Sequence, residues 1–172
     1  MPRPSHLFVA ALAVVFAAAC SSSHSSSSSS AANAAVSSAG SGGAPTVGHG
    51  TDLHSEPTIS AGSGTPPSTL VVRDLVKGAG ATAAQGATVN VQYVGANFAD
   101  GQDFDSSWQR GQPATFSLAQ VIPGFAQGIA GMQVGGRREL VIPPALGYGS
   151  AGAGPVGPNE TLVFVIDLLA VQ

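Results

Sequence analysis

Apolar and polar residues alternate in several stretches after residue 69. Over residues 88–95, Val89, Val91 and Tyr93 fall on one face while Asn90 and Gln92 fall on the other, which is the period of two typical of a half-buried strand. A β-rich pattern begins at residues 70–76, and three more stretches are predicted as strands: residues 114–118, 137–142 and 161–171. In the last of these, one face would carry four large residues: Leu162, Phe164, Ile166 and Leu168.

One segment between these strands has the period of a helix instead. Pro123 suits a helix start, and Phe125, Ile129 and Met132 recur at helical spacing up to the glycine pair at residues 135–136. Asp100-Gly101 predicts a hairpin turn, because this dipeptide tolerates positive φ. The pattern therefore predicts an α+β domain, an antiparallel sheet packed on one short helix.

The N-terminal part of the chain reads as an export signal. A short polar start is followed by an apolar run at residues 7–19, which is shorter than the roughly 20 residues that a spanning helix needs. The run ends in Ala-Ala-Ala-Cys, which resembles a bacterial lipobox, so we expect cleavage before Cys20 and lipid attachment to it. The alternative is ordinary signal cleavage with an unmodified Cys20.

Residues 20–68 are rich in Ser, Gly, Ala and Pro and have no sustained apolar period. Such a segment buries too little surface to offset its ordering entropy, so we expect a disordered tether. His24, His49 and His54 lie in it at spacings that do not suggest a metal site, and we expect no metal. Three regions are thus predicted: a signal peptide over residues 1–19, the tether over 20–68 and a folded domain over 69–172.

Charge narrows the range of partners. The 172-residue chain has a formal net charge of −3 and 9% charged residues, so no dense basic surface exists for nucleic acid. Cys20 is the single cysteine, which excludes an internal disulfide framework.

Five motifs follow one another in the predicted domain: VQYVG (residues 91–95), DGQDFDSS (100–107), VIPGFAQGIAGMQVGGRRELVIPP (121–144), LGYG (146–149) and TLVFVIDLL (161–169). In this order they resemble an FKBP-type peptidyl-prolyl cis-trans isomerase, and the resemblance covers about residues 69–172. It implies a strongly bent antiparallel sheet of about five strands wrapped around one short helix, with an apolar pocket between them.

The resemblance also implies a set of site residues. Those expected to act in catalysis are Tyr93, Phe104, Asp105, Tyr148 and Phe164, and those expected to bind substrate are Val121, Ile122, Phe125 and Arg110. The Tyr148 hydroxyl and the Ile122 backbone N–H would hold a ligand carbonyl. Each residue also has a plain structural interpretation: the aromatic residues can be core, Asp105 can simply pair with Arg110, and the Tyr148 hydroxyl can be bonded within its own loop.

The implied reaction is rotation about an X-Pro bond, whose amide resonance imposes a barrier of about 18–20 kcal/mol. No covalent bond breaks, so we expect no cofactor, metal or nucleophile, and an apolar pocket would favour the twisted amide over the planar one. Two kinds of partner are expected: exported polypeptides that contain proline, and macrolides that compete with them for the pocket. The protein itself is expected to be a monomer held on the outer face of the cell membrane through Cys20, with partial release allowed.

Two alternatives remain open. The same fold could be a non-catalytic module that binds proline-containing partner segments, or a structural surface lipoprotein. Ala114, where an aromatic residue often lines the family's pocket, and the Gly- and Ala-rich loop at residues 150–159 are departures that favour the binding module. Trp108 can either face client proteins or cover an apolar gap, and Arg137 and Arg138 are interpreted as a solvated strand edge.

Overall fold

The structure is a computed structural model, and it describes residues 43–172. The predicted signal peptide, Cys20 and the start of the predicted tether lie outside the described residues. The described part contains one α-helix, α1 (Pro123–Ile129), and eight strands: β1 (Val47–Gly48), β2 (Thr58–Ile59), β3 (Val71–Val76), β4 (Thr88–Asn97), β5 (Asp103–Ser106), β6 (Ala114–Ser117), β7 (Arg137–Ile142) and β8 (Leu162–Val171).

Six of the strands form one antiparallel sheet, in the order β3-β7-β8-β4-β5 with β6 also paired to β4. Strand β4 pairs with β6 near its start and with β5 near its end, so the long strand is shared by two shorter neighbours. Register irregularities interrupt its ladders after Asn90 and Gly95, and such bulges bend a strand and increase its twist. The predicted α+β class and bent sheet are confirmed, with six strands rather than about five.

The turn between β4 and β5 is the hairpin predicted at Asp100-Gly101. Gly101 has a φ of +70°, and its N–H donates to the carbonyl oxygen of Asn97 over 2.9 Å. A side chain at Gly101 would also meet the backbone of residues 59–61, which crosses the turn closely. Glycine is therefore required both by the backbone angle and by the space.

Helix α1 begins at Pro123 as predicted but ends earlier than predicted. Ala130 leaves the helical region with a ψ of 131°, and Gly131 follows with a φ of +81°, so the predicted end at residues 135–136 is wrong. Met132 is buried although it lies beyond the helix. Among residues 43–172, no helix is both long enough and apolar enough to cross a membrane.

The sheet has two buried faces. The helix lies on one of them, where Gly128 lets α1 approach Leu140 of β7. The other face, called the back face below, carries a cluster of seven buried residues: Ile59, Val94, Ala96, Phe98, Val141, Val163 and Val165. The single apolar face predicted for β8 is thus an underestimate, because Leu162 through Leu168 are all buried.

The back face is covered by residues 43–64, called the strap below. Its two short strands pair with each other, with Val47 opposite Ile59, and Ile59 is 8% exposed within the back-face cluster. Gly62 donates its N–H to the carbonyl oxygen of Phe98 over 2.8 Å. The expectation of a disordered tether is therefore wrong for residues 43–68, where the sheet supplies the apolar partner that the segment lacks by itself.

Arg137 holds the strap through hydrogen bonds from the sheet. Its side chain is fully buried between the neighbouring strands, with its guanidinium donating to both carboxylate oxygens of Asp167 at 2.5 and 2.6 Å. The same guanidinium donates to the carbonyl oxygens of His49 at 2.5 Å and Ser55 at 3.1 Å. The interpretation of Arg137 as a solvated strand edge is wrong because β7 is an interior strand, between β3 and β8.

Candidate functional site

Five aromatic rings meet on the helix side of the sheet. Each comes from a different element: Tyr93 from β4, Phe104 from β5, Phe116 from β6, Phe125 from α1 and Phe164 from β8. Phe164 is central, with ring centroids 5.2 Å from Phe125, 5.5 Å from Phe104 and 6.3 Å from Tyr93. The Phe125 and Phe104 rings meet it edge to face, which is a favoured geometry for aromatic pairs. The structure thus brings together four of the five aromatic residues expected at the site: Tyr93, Phe104, Phe125 and Phe164.

Phe116 is a member of this cluster that the sequence analysis did not single out. Its ring lies 5.6 Å from Tyr93 and 5.7 Å from Phe125, and it is half-buried. The signal was present in the alternation of Ala114, Phe116 and Leu118 along the stretch predicted as a strand, residues 114–118. Phe116 supplies aromatic surface on the strand where Ala114 carries none.

Gly95 makes room for two of the rings. A Cβ at this position would lie 2.7 Å from Cε1 of Phe164 and 2.8 Å from Cε2 of Phe104. Real Cβ atoms do not approach carbon so closely, so any side chain here would displace the rings. The glycine of the VQYVG motif is therefore explained by the close approach of Phe104 and Phe164 to β4.

A polar group closes one end of the aromatic cluster. The Tyr93 hydroxyl donates to Oδ2 of Asp105, and Arg110 donates from Nη1 to Oδ1 of the same carboxylate. Arg110 also donates from Nη2 to the Tyr93 hydroxyl oxygen over 2.8 Å and lies 5.4 Å from the centre of the ring. Both oxygens of Asp105 are engaged, and its charge is balanced by the guanidinium.

This closed network keeps Tyr93 protonated. Burial raises the pKa of Tyr93, and the hydrogen bond to Asp105 raises it further, outweighing the opposing effect of Arg110. Tyr93 is 4% exposed, so its ring is core while its hydroxyl belongs to the polar group. The structural and the functional interpretations of Tyr93 and Asp105 therefore describe one arrangement.

The two serines after Asp105 anchor the chain that carries this group. Ser107 accepts a hydrogen bond from the backbone N–H of Tyr93 at 2.8 Å and donates to Oε1 of Gln92. Ser106 accepts from the backbone N–H of Gln109 at 3.2 Å. The loop that ends in Arg110 is thus pinned at two successive residues, which explains the paired serines of the DGQDFDSS motif.

Tyr148 lies in the loop that follows the helical turn Pro144–Leu146. It is half-buried, and burial together with the negative charge of Asp105 raises its pKa. None of the hydrogen bonds found among the described residues involves this hydroxyl, so its own loop does not hold it. The hydroxyl stays a neutral donor within the electrostatic reach of Asp105.

Val121 and Ile122 lead into the helix. Ile122 is buried and its carbonyl oxygen accepts from Phe125 and Ala126, which opens α1. Its own N–H finds no backbone acceptor among residues 43–172. Val121, immediately before it in the chain, is half-buried.

Trp108 packs against the back-face cluster, so it covers an apolar gap rather than facing outward. Its indole Nε1 is buried without an acceptor in the described part of the chain. In the same part, no group of three or more His, Cys, Asp or Glu side chains could hold a metal ion. What the site offers is an aromatic floor with neutral hydroxyl and amide donors at its rim.

Comparison with known proteins matches this chain to one family. The model of the FKBP-type peptidyl-prolyl cis-trans isomerases matches residues 80–169, which is more than half of the chain. An FK506-binding protein of Streptomyces anulatus is 50% identical over 120 residues, covering 67% of this chain and 97% of that protein. The match therefore extends over nearly the whole of that relative.

Two relatives are longer than the matched region. The crystal structure of FkpA from Escherichia coli superposes with a TM-score of 0.58 at 44% identity, over 60% of this chain and 48% of that one. An outer membrane protein, MIP of Legionella longbeachae, is 42% identical over 107 residues, covering 62% of this chain and 46% of that protein. In both cases the match spans about half of the other protein.

Proposed function

Given that this chain belongs to the FKBP-type peptidyl-prolyl cis-trans isomerases and accelerates rotation about X-Pro bonds, we propose that the aromatic cluster is the place where the proline binds and the amide twists. The observation that carries the proposal is the meeting of the Phe104, Phe125 and Phe164 rings beside a polar rim. Aromatic rings offer an apolar surface on which the proline ring can pack, and this packing requires no hydrogen bond from the proline ring. The preceding carbonyl then lies at the rim, where donors are available.

The aromatic surface favours the twisted amide. A planar amide is polar because of resonance, whereas the twisted amide has lost that resonance and part of its polarity. Moving the bond from water to an apolar floor therefore costs the planar ground state more than the transition state. This difference in binding is what accelerates a reaction, since equal binding of both states would not.

The rim donors hold the carbonyl that precedes proline. Among the described residues, neither the Ile122 N–H nor the Tyr148 hydroxyl donates to an acceptor. Burial and the charge of Asp105 raise the pKa of Tyr148 further above its ordinary value, so the hydroxyl is a neutral donor. Holding the carbonyl while the proline ring is packed fixes the angle between the two halves of the bond. Val121 would line the approach beside Ile122.

Asp105 is not a proton acceptor in this scheme. Each of its oxygens already accepts a hydrogen bond, from Tyr93 and from Arg110, and rotation about the X-Pro bond requires no proton transfer. Its role is to hold the Tyr93 ring and the loop at the cluster's edge, with Arg110 balancing its charge. The reaction then needs no cofactor or nucleophile.

The test is a protease-free assay of X-Pro exchange in short peptides with the full chain in mild detergent. Phe104→Ala should lower kcat/KM by about tenfold, because a half-buried ring of the floor is lost. Tyr148→Phe should lower it by about threefold, because one donor is lost while the ring remains. Unchanged rates in both variants would remove the proposed site from this cluster.

The alternative of a non-catalytic module makes a different prediction in the same experiment. A proline peptide would then bind, and its binding would weaken in Phe104→Ala, without any acceleration of exchange. FK506, the compound in the name of the Streptomyces relative, is the competitor to add. We propose that it occupies the same aromatic cluster and therefore blocks both turnover and peptide binding.

We also propose that the protein works outside the cytoplasm, on exported polypeptides that contain proline, and is anchored through a lipid on Cys20. Support comes from the apolar run and the Ala-Ala-Ala-Cys sequence, and from the similarity to an outer membrane protein. Palmitate labelling tests the anchor: Cys20→Ser should lose the label and move from the membrane to the soluble fraction. Retention of the label in that variant would disprove attachment at Cys20.

A further inference from the structure

One carboxylate of the strap contacts the loop of the candidate site. Glu56 accepts a hydrogen bond through Oε1 from the hydroxyl of Ser106 over 2.7 Å. The two residues are 50 positions apart in the chain, and Ser106 is 4% exposed. The contact therefore joins the cover of the back face to the strand that carries Asp105.

The position of Glu56 is fixed on both sides. Ser55 immediately before it accepts from the buried guanidinium of Arg137, and Pro57 immediately after it is buried. The Glu56 carbonyl oxygen is 3.3 Å from Nδ1 of His49. The backbone on both sides of Glu56 is therefore held in place, and it positions the carboxylate beside Ser106.

Ser106 passes this contact on to the site loop. While its hydroxyl donates to Glu56, the same oxygen accepts from the backbone N–H of Gln109 at 3.2 Å. Asp105 precedes Ser106 and Arg110 follows Gln109, so the two halves of the Asp105–Arg110 pair flank the bridge. A charged acceptor strengthens the hydroxyl's bond and orients its lone pair toward the N–H.

We propose that Glu56 is a positioning residue for the isomerase reaction, acting through Ser106 and Gln109 on the Asp105–Arg110–Tyr93 group. The inference rests on the proposed function of the aromatic cluster, whose edge this group closes. Without Glu56, the loop keeps its sequence but loses the acceptor that holds its first turn. A displaced loop should destabilise the transition state more than it weakens ground-state binding of proline, because the transition state depends on the exact position of the groups at the edge of the cluster.

The first experiment separates kcat from KM in the full chain. Glu56→Ala should lower kcat by about fivefold and leave KM within about twofold, because the aromatic floor is untouched. Glu56→Gln should retain most of the activity, since its amide oxygen can still accept from Ser106. Asp52→Ala is the matched control, because among residues 43–172 this second strap carboxylate contacts only Ser55 and His54, both in the strap.

A double-mutant cycle tests whether the effect runs through Ser106. Ser106→Ala removes the same bridge from the other side, so Glu56→Ala added to it should change kcat by less than about twofold. Independent effects that multiply would instead show that Glu56 acts by another route. That result would overturn the proposal even if each single variant is impaired.

Trp108, the single tryptophan, reports on the same loop without any turnover. It lies between Ser106 and Arg110 and packs on the back-face cluster. Acrylamide should quench its fluorescence about twofold more strongly in Glu56→Ala than in the wild type or in Glu56→Gln. Equal quenching in all three proteins would show that Glu56 does not hold the loop, and would overturn the proposal.

The two readouts distinguish the possible failures. If Phe104→Ala leaves turnover intact while Trp108 responds to Glu56→Ala, the location of the active site is wrong and the structural link is right. If Phe104→Ala lowers turnover as expected while Glu56→Ala changes neither kcat nor the quenching of Trp108, the site stands and the role of Glu56 is wrong. Loss of activity in Asp52→Ala to the same extent as in Glu56→Ala would also contradict a specific role.

Discussion

The two faces of the sheet are built differently although they share strands. On the helix side, five aromatic rings meet and three of them lie in residues that are fully or nearly buried, while Phe104 and Phe116 remain partly open. On the back face, mostly aliphatic residues pack under the strap. Val94 and Val163 among them are fully buried. The helix side therefore keeps aromatic surface accessible, whereas the back-face cluster leaves almost no apolar surface accessible.

The difference shows how a small domain can keep an open aromatic site. Aromatic surface held partly exposed contributes less to stability than the same surface in the core, because the hydrophobic contribution scales with the area removed from water. The back face and its strap compensate by adding a second core on the same strands. Changes on the back face should therefore alter stability first, and changes on the helix side should alter turnover first.

The largest effect is expected at Arg137. Arg137→Met removes the partner of Asp167 and leaves a buried carboxylate with no cation, so the free energy of unfolding should fall by about 3–5 kcal/mol. The strap also loses its donors to His49 and Ser55. Urea unfolding measures the loss. The double variant Arg137→Met with Asp167→Leu is the control, and it should recover part of the stability because no unpaired charge remains.

A smaller effect is expected at Ile59, the buried residue through which the strap enters the back-face cluster. Ile59→Ala should lower the free energy of unfolding by about 2–3 kcal/mol, since it leaves a cavity under the strap. Val72→Ala is the matched control at an aliphatic position that is 44% exposed, and it should cost less than about 1 kcal/mol. Equal losses in the two variants would contradict a folded strap.

The strands and the start of the helix could be predicted because each has a local signal. Strand β4 has its period of two, and Pro123 marks the helix start. The helix end could not be predicted as easily, because Gly131 rather than the glycine pair takes the positive φ that ends it. The face of β8 that contacts the strap was missed for a similar reason, since burial on both sides depends on what covers the sheet.

The strap had no local signal at all. Its strands have two residues each, and its order depends on a sheet that begins after it in the chain. Arg137 illustrates the limit: a charged residue is buried only if an acceptor such as Asp167, 30 residues away, meets it. The aromatic cluster was easier to predict because four of its five rings lie in family motifs, whereas Phe116 lies outside all five motifs.

On the helix side, Gly95→Ala tests whether ring geometry controls turnover. The added methyl would force the Phe104 and Phe164 rings apart, so kcat/KM should fall by about tenfold while the free energy of unfolding falls by about 1–2 kcal/mol. Gly157→Ala is the control, because its nearest neighbour would be Glu160 at an ordinary 3.5 Å. Full activity in Gly95→Ala would mean that the open face tolerates displaced rings.

The smallest effect concerns a charge on the back face, Glu139, which pairs with Arg73 at 2.6 Å but is 3% exposed. Burial raises its pKa above the usual 4.5, and Arg73 offsets this only in part. The folded protein therefore binds this proton more tightly than the unfolded chain does, so Glu139 makes the protein less stable as the pH rises above about 4.5 and has no further effect above its folded pKa. Glu139→Gln cannot ionise, so its stability relative to the wild type should grow over that window, by up to about 1 kcal/mol, and then level off.

Urea midpoints of both proteins between pH 4 and pH 8 measure this difference. If the stability of the variant relative to the wild type falls with rising pH, Arg73 outweighs burial. Because Glu139 lies on the back face, kcat/KM of the variant should match the wild type at every pH, and a shifted activity profile would contradict the separation of the two faces.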